Sequence, residues 1–487
     1  MHTKTLKALS ELLKDKTISS RELTQHYIDR IDQYNDAINA VVHIDRERCL
    51  KAADSVDQRR SQDDQGLSVL AGIPLMNKDI FCTVSEPTTC ASKALQGYQS
   101  PFDATIIKNC RDAGMVMFGK CNMDEFAMGG SNENSFYGPT KNPWDLSRVP
   151  GGSSGGSAAA IAARLTPAVT GTDTGGSIRQ PSAFCGITGI KPSYGVISRY
   201  GVVAFASSLD QAGPMACSAE DCALLLSQMA SYDPAHDMTS VRQQDYDYTT
   251  NLNDSLKGLR VGLPKEYFDH FADADIEKCM QAAIDEFKKL GVECVEISLP
   301  DVKHCISAYY TIAPCEASSN LARFDGNIYG YRSPNSRDID SMYSASRSEA
   351  FGNEVKRRIV MGTYALSSGY SNDYYSKAQN IRNLIRHDFD EAWQKVDIIL
   401  APTTPSVAFK IDQFCNDPIK MYQQDVFTIP VNLAELPALS MPVGFAHQMP
   451  VGMQIIGPRW QEKRILNCAH QFQTITDWHT RIPEQFA

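Results

Sequence analysis

Residues 150–179 read PGGSSGGSAAAIAARLTPAVTGTDTGGSIR and hold two glycine–serine turns, 151–157 before an alanine-rich run and 172–177 after the apolar run 168–170. Glycine admits positive φ and lets a backbone approach a ligand closely. Successive N–H groups in such turns cradle an anion. Three chemistries compete for this arrangement. A phosphate loop needs GxxxxGK[ST], or GxGxxG in a βαβ unit; neither occurs, and no lysine follows either glycine pair. A nucleophile elbow, GxSxG, is matched formally by 151–155, but an elbow follows a buried strand, and 142–150 is a proline-bounded loop. The elbow also needs a later histidine. His236, His270, His304, His387, His447, His470 and His479 are present, none in a telling context. The third chemistry is a serine activated by lysine. No histidine lies between His43 and His236, and a serine nucleophile needs a neighbouring base or a depressed pKa.

The ionisable residue out of place near these turns is Lys78, inside AGIPLMNKDIF. A strand there alternates faces, which turns Lys78 inward with Met76 and Ile80. Burial lowers a lysine pKa. Moving it from ~10.4 to ~7 costs ~4.6 kcal/mol, so fixed polar partners are required. The plain alternative is a surface lysine paired with Asp79.

GGSSGGSAAAIAA followed by GTDTGGSIRQPSAFCGITGIKPS resembles the amidase signature family. The resemblance implies an α/β fold, a large twisted mixed β-sheet covered by helices on both faces. It implies a Ser–cis-Ser–Lys triad, with Ser177 as nucleophile, Ser153 as bridge after a cis Gly152–Ser153 bond, and Lys78 as base. The backbone N–H groups of Thr174, Gly175, Gly176 and Ser177 then face the developing oxyanion, a donor there being typically worth ~3–4 kcal/mol. Taken singly, Ser153 reads as a helix N-cap and 175–177 as a tight turn.

Blocks at 123–145, 207–216, 316–326, 354–370 and 425–442 resemble the glutamine-hydrolysing branch of that family, whose members serve tRNA-dependent amidotransferases. This implies glutamine as the substrate and ammonia as the product. Arginine suits an α-carboxylate and aspartate an α-ammonium. The resemblance assigns these roles to Arg358 and Asp425, with Tyr309 or its neighbour Tyr310 closing the pocket and Ser131 lining it. Asp173 and Arg179 read as supports. Arg358 otherwise reads as a helix-surface residue paired with Glu354, and Ser131 as a turn serine. The same resemblance implies two amidotransferase partners, the B and C subunits. The B subunit holds Glu-tRNA(Gln) or Asp-tRNA(Asn), uses ATP and Mg, and receives the ammonia through a channel. The small C subunit wraps the pair. No cofactor or metal is expected in this chain, and the expected compartment is the cytoplasm. Two other readings are a stand-alone amidase acting on another small amide and an inactive scaffold of the same fold.

The elements that must position these residues read as one α/β unit spanning 1–487. Within it 1–66 is a helical start and 232–397 a more helical insertion. The first 35 residues form two helices. Ser19 and Glu22 box the second, and Leu23, Tyr27, Ile28 and Ile31 line its apolar face. Residues 37–44 read as a strand or extended segment and 58–66 as a polar loop. Further on, strand-like runs (72–81, 115–118, 168–170) alternate with helix-like ones (104–113, 157–164), and Ala113-Gly114 stops a helix. Strands also appear at 259–262 and 292–297, and the sheet pattern resumes at 396–401, 438–443 and 451–456. The chain has 487 residues, net charge −10, 43% hydrophobic and 21% charged residues, which excludes a largely disordered chain. That acidic balance disfavours a broad phosphate-binding surface, so any nucleic acid is expected to be held by a partner. Fourteen cysteines show no CxxC pair or zinc-ligand spacing and read as reduced thiols. No apolar run reaches membrane-span length. The charged N-terminus is not expected to be a secretory signal.

Overall fold

Short apolar runs alternating with helices assemble into one mixed sheet. The computed structural model describes residues 1–62, 66–268 and 273–487. Among them the sheet has eleven strands: β1 (Val41–His43), β2 (Pro74–Lys78), β3 (Val116–Cys121), β4 (Ala168–Thr172), β5 (Thr188–Lys191), β6 (Ala212–Ala216), β7 (Arg260–Pro264), β8 (Glu293–Ile297), β9 (Ile398–Pro402), β10 (Ala438–Ala446) and β11 (Met449–Ile456), in spatial order β1-β3-β2-β4-β6-β5-β10-β11-β9-β7-β8. β2 runs parallel to both β3 and β4, and β7 parallel to β8 and β9. Antiparallel pairs β4–β6, β6–β5, β5–β10, β10–β11 and β11–β9 join the two parallel groups. Strands β2 to β6, β9 and β11 are buried at every position. Side chains of a strand alternate faces, so helices and loops cover both sides of this sheet. The Gly155–Ala162 helix packs against β2, β4 and β6, and the Arg179–Cys185 helix against β5, β10 and β11.

The N-terminal helices are Leu6–Lys14 and Ser20–Ile38. Ser19 caps the second, and the reciprocal Glu22 bond completes the box. That helix runs further than expected and ends at Asn39, whose φ is +53°, leaving Val41–His43 as the strand within the expected strand or extended segment 37–44. The expected loop 58–66 needs a similar correction. A helix spans Arg46–Ser61, so 58–61 are helical, while 63–65 lie outside the described residues. This helix buries only Cys49, Ala53 and Val56; a narrow apolar stripe between polar residues leaves the end of the helix looking like a loop. β5 and β6 had no sequence signal. Their TGIK and AGPMA carry glycine and proline, which are rare inside sheets. Region 232–397 contains the long helices Ala274–Lys289, Cys305–Asn320, Asn353–Leu366 and Lys377–Ala392. It also supplies β7 and β8 to the same sheet.

This topology fixes one place for chemistry. In an α/β sheet, ligands gather at the carboxyl ends of parallel strands. β2 ends at Lys78 and its parallel neighbour β4 ends at Thr172. The chain then loops through 173–178 into the Arg179–Cys185 helix, and the Ser153–Ser154 turn opens the Gly155–Ala162 helix.

Candidate active site

Lys78 is fully buried. Its Nζ lies 2.8 Å from Ser153 Oγ, 2.9 Å from Ser154 Oγ and 2.8 Å from Thr172 Oγ1. The surface-lysine alternative is therefore overturned: Asp79 pairs with Lys120 instead, at 3.6 Å. Burial lowers the Lys78 pKa to about 7, opposed by the charges of Asp124, Asp173 and Asp210. Burial alone does not single this residue out. Lys120 and Lys191 are also buried, and burial likewise lowers Lys191 to about 7. Lys191 Nζ, however, donates to the Pro192 carbonyl, and Lys120 Nζ to the Phe81 carbonyl and Thr88 Oγ1. Of the three, Lys78 alone faces serine hydroxyls.

The peptide bond Gly152–Ser153 is cis. A Cβ on Gly152 would stand 2.0 Å from Asp124 Oδ2, so only glycine fits there. Gln180 ties this turn to the rim of the neighbouring cavity: its Oε1 accepts from Gly152 N (2.9 Å) and its Nε2 donates to the Gly130 carbonyl (2.7 Å). Asp124 accepts from the N–H groups of Asn132 and Asn134, and burial raises its pKa to about 6.

Ser177 sits in the loop after β4. The Ser154 N–H donates to its carbonyl at 3.3 Å, joining the two turns. Lys78 and Ser153 have no exposure, whereas Ser177 keeps 8%, so the expected nucleophile is the member a substrate can reach. Asp173 and Arg179 brace this loop as a buried ion pair (3.0 and 3.1 Å), and Arg179 also bonds Gln454, Asn432 and the Thr428 carbonyl. Burial alone would raise Asp173; Arg179 outweighs it and holds the carboxyl at about 2. The N–H groups of Thr174, Gly175, Gly176 and Ser177 donate to no protein acceptor among the described residues. Such unpaired donors are suited to an incoming oxyanion. The phenol end of Tyr309 packs against this loop: a Cβ on Gly175 would lie 2.7 Å from its Cζ.

A cavity of about 280 Å³ adjoins these turns, lined by Gly130, Ser131, Tyr310, Glu354, Arg358 and Tyr422 among others. Arg358 is buried, not on the helix surface, and the pair with Glu354 exists as well: Nε donates to Glu354 Oε1 at 2.8 Å. Phe205, Tyr310 and Tyr422 surround the guanidinium at 5.2–5.6 Å. Burial works against its charge, but Glu354 and the tyrosines hold its pKa above the ordinary arginine value. Its terminal N–H groups donate to no acceptor among the described residues, leaving a bidentate fork for a carboxylate. Tyr310 stacks on Tyr422 and donates to Asp425 Oδ2 at 3.2 Å. Burial raises the Asp425 pKa to about 7. Of the two tyrosines left open by the sequence, Tyr310 touches the cavity and Asp425, while Tyr309 touches the Ser177 loop. Ser131 lines the cavity and also accepts from Glu133 N at 3.4 Å, as a turn serine does.

No described histidine bonds Ser153 or Ser177; His236 pairs with Asp233 and His447 with Asp273, and His270 lies outside the described residues. The sequence reading missed Ser154, Thr172, Asp124 and Gln180. A doubled serine in GGSSGG was the one available signal; the other three are joined to the site only by the fold.

The amidase family profile matches residues 22–466. The chain belongs to the amidase family. It is 54% identical over 486 residues to the A subunit of glutamyl-tRNA(Gln) amidotransferase from Thioalkalivibrio sulfidiphilus, covering 100% of both chains. It is 55% identical over 483 residues to the protein of the same name from Nitrosococcus oceani, covering 99% of each. The crystal structure of the A subunit of glutamyl-tRNA(Gln) amidotransferase from Thermotoga maritima superimposes with a TM-score of 0.80 at 37% identity, over 96% of this chain and 94% of that one. Among amidases, then, this chain resembles these amidotransferase relatives over its whole length, so the Arg358 cavity lies within the matched region as fully as the glycine–serine centre does. Ten of its fourteen cysteines are buried and none is paired. No described helix is long and apolar enough to cross a membrane.

Proposed function

We propose that this chain is the glutaminase component of a tRNA-dependent amidotransferase, releasing ammonia for the conversion of Glu-tRNA(Gln), or also Asp-tRNA(Asn), to the amidated form. The observation that carries the reading is a buried lysine with its Nζ 2.8 Å from Ser153 Oγ, near a cavity lined by the Arg358 fork and by Tyr310, which bonds the Asp425 carboxylate behind it. Glutamine lies with its α-carboxylate on Arg358 and its α-ammonium on Asp425. Neutral Lys78 takes the Ser153 proton as Ser153 takes that of Ser177. Ser177 Oγ bonds to the side-chain amide carbon, and the N–H groups of 174–177 receive the oxyanion. The C–N bond then breaks, Ser153 returns a proton to the nitrogen, and ammonia leaves. Water hydrolyses the glutamyl ester to glutamate. The partner B and C subunits, with ATP and Mg held by the former, complete the reaction in the cytoplasm. The chain's net charge of −10 supports leaving the tRNA to a partner. This chain's own residues need no metal or cofactor for these steps.

The test is ammonia release from glutamine by the chain co-purified with its partners. Ser177→Ala, Ser153→Ala and Lys78→Ala should each abolish it. Unchanged turnover in Ser177→Ala would remove the nucleophile. Equal turnover of glutamine and simple amides, unaffected by Arg358→Ala, would favour a stand-alone amidase.

A further inference from the structure

Asp210 is buried between two loops that the reaction must keep in step. On one side its Oδ1 accepts from Thr174 Oγ1 at 2.7 Å. On the other its carboxylate accepts from Phe205 N at 2.9 Å and from Ala206 N at 3.0 and 3.1 Å. Thr174 opens the loop that carries Ser177. Phe205 lays its ring beside the Arg358 guanidinium, 5.5 Å away. One carboxylate thus touches both the segment that stabilises the oxyanion and the segment that walls the substrate anchor.

The need for such a tie follows from how little else holds the loop. Its N–H groups are left free for a ligand. Among the described residues, 174–176 are fixed by three hydrogen bonds: Thr174 Oγ1 to Asp210, Thr428 Oγ1 to the Gly175 carbonyl, and Gln180 N to the Gly176 carbonyl. The last two grip carbonyls from Thr428, which precedes the Ile429–Leu433 helix, and from the first turn of the Arg179–Cys185 helix. Thr428 also bonds the Asp425 carbonyl at 3.1 Å, so it links the loop to the α-ammonium side, whereas the Thr174 bond is the one of the three that links it to the Phe205 wall of Arg358. Asn320 secures that wall from behind, donating to the Phe205 carbonyl at 3.1 Å and to Ser207 Oγ at 2.9 Å. Asn320 shares the Cys305–Asn320 helix with Tyr309, which packs on Gly175.

We propose that Asp210 is a positioning residue: through the Thr174 hydroxyl it sets the oxyanion N–H groups at a fixed place relative to Arg358. Seating the α-carboxylate on Arg358 then presents the side-chain carbonyl to those groups. This rests on the glutaminase reading above. The predicted signature is a loss in kcat with KM spared, because the tie aligns the reacting atoms without touching glutamine's α-groups.

The experiment compares glutamine with butyramide, which lacks the α-carboxylate and α-ammonium, using the full chain co-purified with its partners. Thr174→Val keeps the side-chain shape and removes the hydroxyl. It should lower kcat on glutamine roughly ten- to hundredfold, as misplaced reacting atoms do, with KM for glutamine within about twofold, while butyramide, which is not held by Arg358, loses much less. Its thermal midpoint should stay within about 2 °C of the wild type. Thr174→Ser should restore most of the rate. Adding Asp210→Asn to Thr174→Val should cost less than the two single losses combined, since both remove the Thr174–Asp210 link. The proposal is overturned by kcat on glutamine near wild type in Thr174→Val, by a loss confined to KM, by an equal loss on butyramide, by failure of Thr174→Ser to recover, or by additive losses. A wild-type complex that releases no ammonia from glutamine, or a Ser177→Ala variant that does, overturns the glutaminase reading and the tie with it.

Discussion

Acylation of Ser177 should titrate with a lysine. The proposed base must be neutral to accept a proton. With the usual lysine value of 10.5, about one molecule in 3,000 would be neutral at pH 7; with a value of about 7, about half are. Burial therefore raises the working fraction by about three orders of magnitude, at a cost of about 5 kcal/mol to the charged form. The sign follows from burial disfavouring the ammonium. The rate should rise about tenfold per pH unit below 7 and level off above it, leaving about a tenth at pH 6 and a hundredth at pH 5. Glutamine is a poor sole probe, because Asp425 also titrates near 7 and binds the α-ammonium. The decisive assay measures labelling of Ser177 by a fluorophosphonate, which carries no ammonium, between pH 5 and 10. Lys78→Arg keeps the charge but cannot release a proton at any of these pH values, and it should label at least about a thousandfold more slowly throughout. An acid limb at pH 9 or above, a flat profile, or labelling by Lys78→Arg at the wild-type rate would refute the reasoning.

Three further outcomes follow from the pocket and its supports. Arg358→Met should raise KM for glutamine roughly thirtyfold, the loss of about 2 kcal/mol from a charged hydrogen bond, while butyramide hydrolysis keeps its rate. Tyr310→Phe removes the hydroxyl that favours the ionised form of Asp425; steady-state kinetics should show KM for glutamine rising several-fold at pH 6 and little at pH 8. Asp173→Asn leaves Arg179 buried without its counter-ion and should cost about 3–5 kcal/mol in denaturant unfolding. In the wild type, Asp173 falls from the usual 3.8 to about 2, so its contribution of about 2 kcal/mol is present above pH 3.8 and disappears as pH drops through 2.

What the sequence disclosed depends on the range of the interactions involved. The Ser19–Glu22 box and its apolar face were legible because a helix start is written within four residues. The end of the Arg46–Ser61 helix was not, because exposed polar residues serve a helix and a loop equally well. β5 and β6 were hidden by glycine and proline whose place in the sheet is decided by neighbours. In the candidate site, Lys78 stood out as a charged residue in an apolar strand. The alternation argument could not show which way it points, since every position of β2 is buried. The partners Thr172 and Asp124 lie 94 and 46 residues from Lys78, and no spacing rule reaches that far. The resemblance placed Arg358 and Asp425, and the fold added that Tyr310 rather than Tyr309 is the one that meets Asp425.

The three neighbours of the Lys78 amine are all alcohols, and this bears on reversibility. An ammonium offers three hydrogens and no lone pair; the free amine offers two hydrogens and one lone pair. Ring it with carboxylates and the cation would be locked in; ring it with carbonyls and the freed lone pair would face another lone pair. An alcohol serves either state by swivelling its hydrogen. The nitrogen can thus gain and lose a proton on every turnover while no heavy atom around it has to move, leaving the socket indifferent to which form it holds.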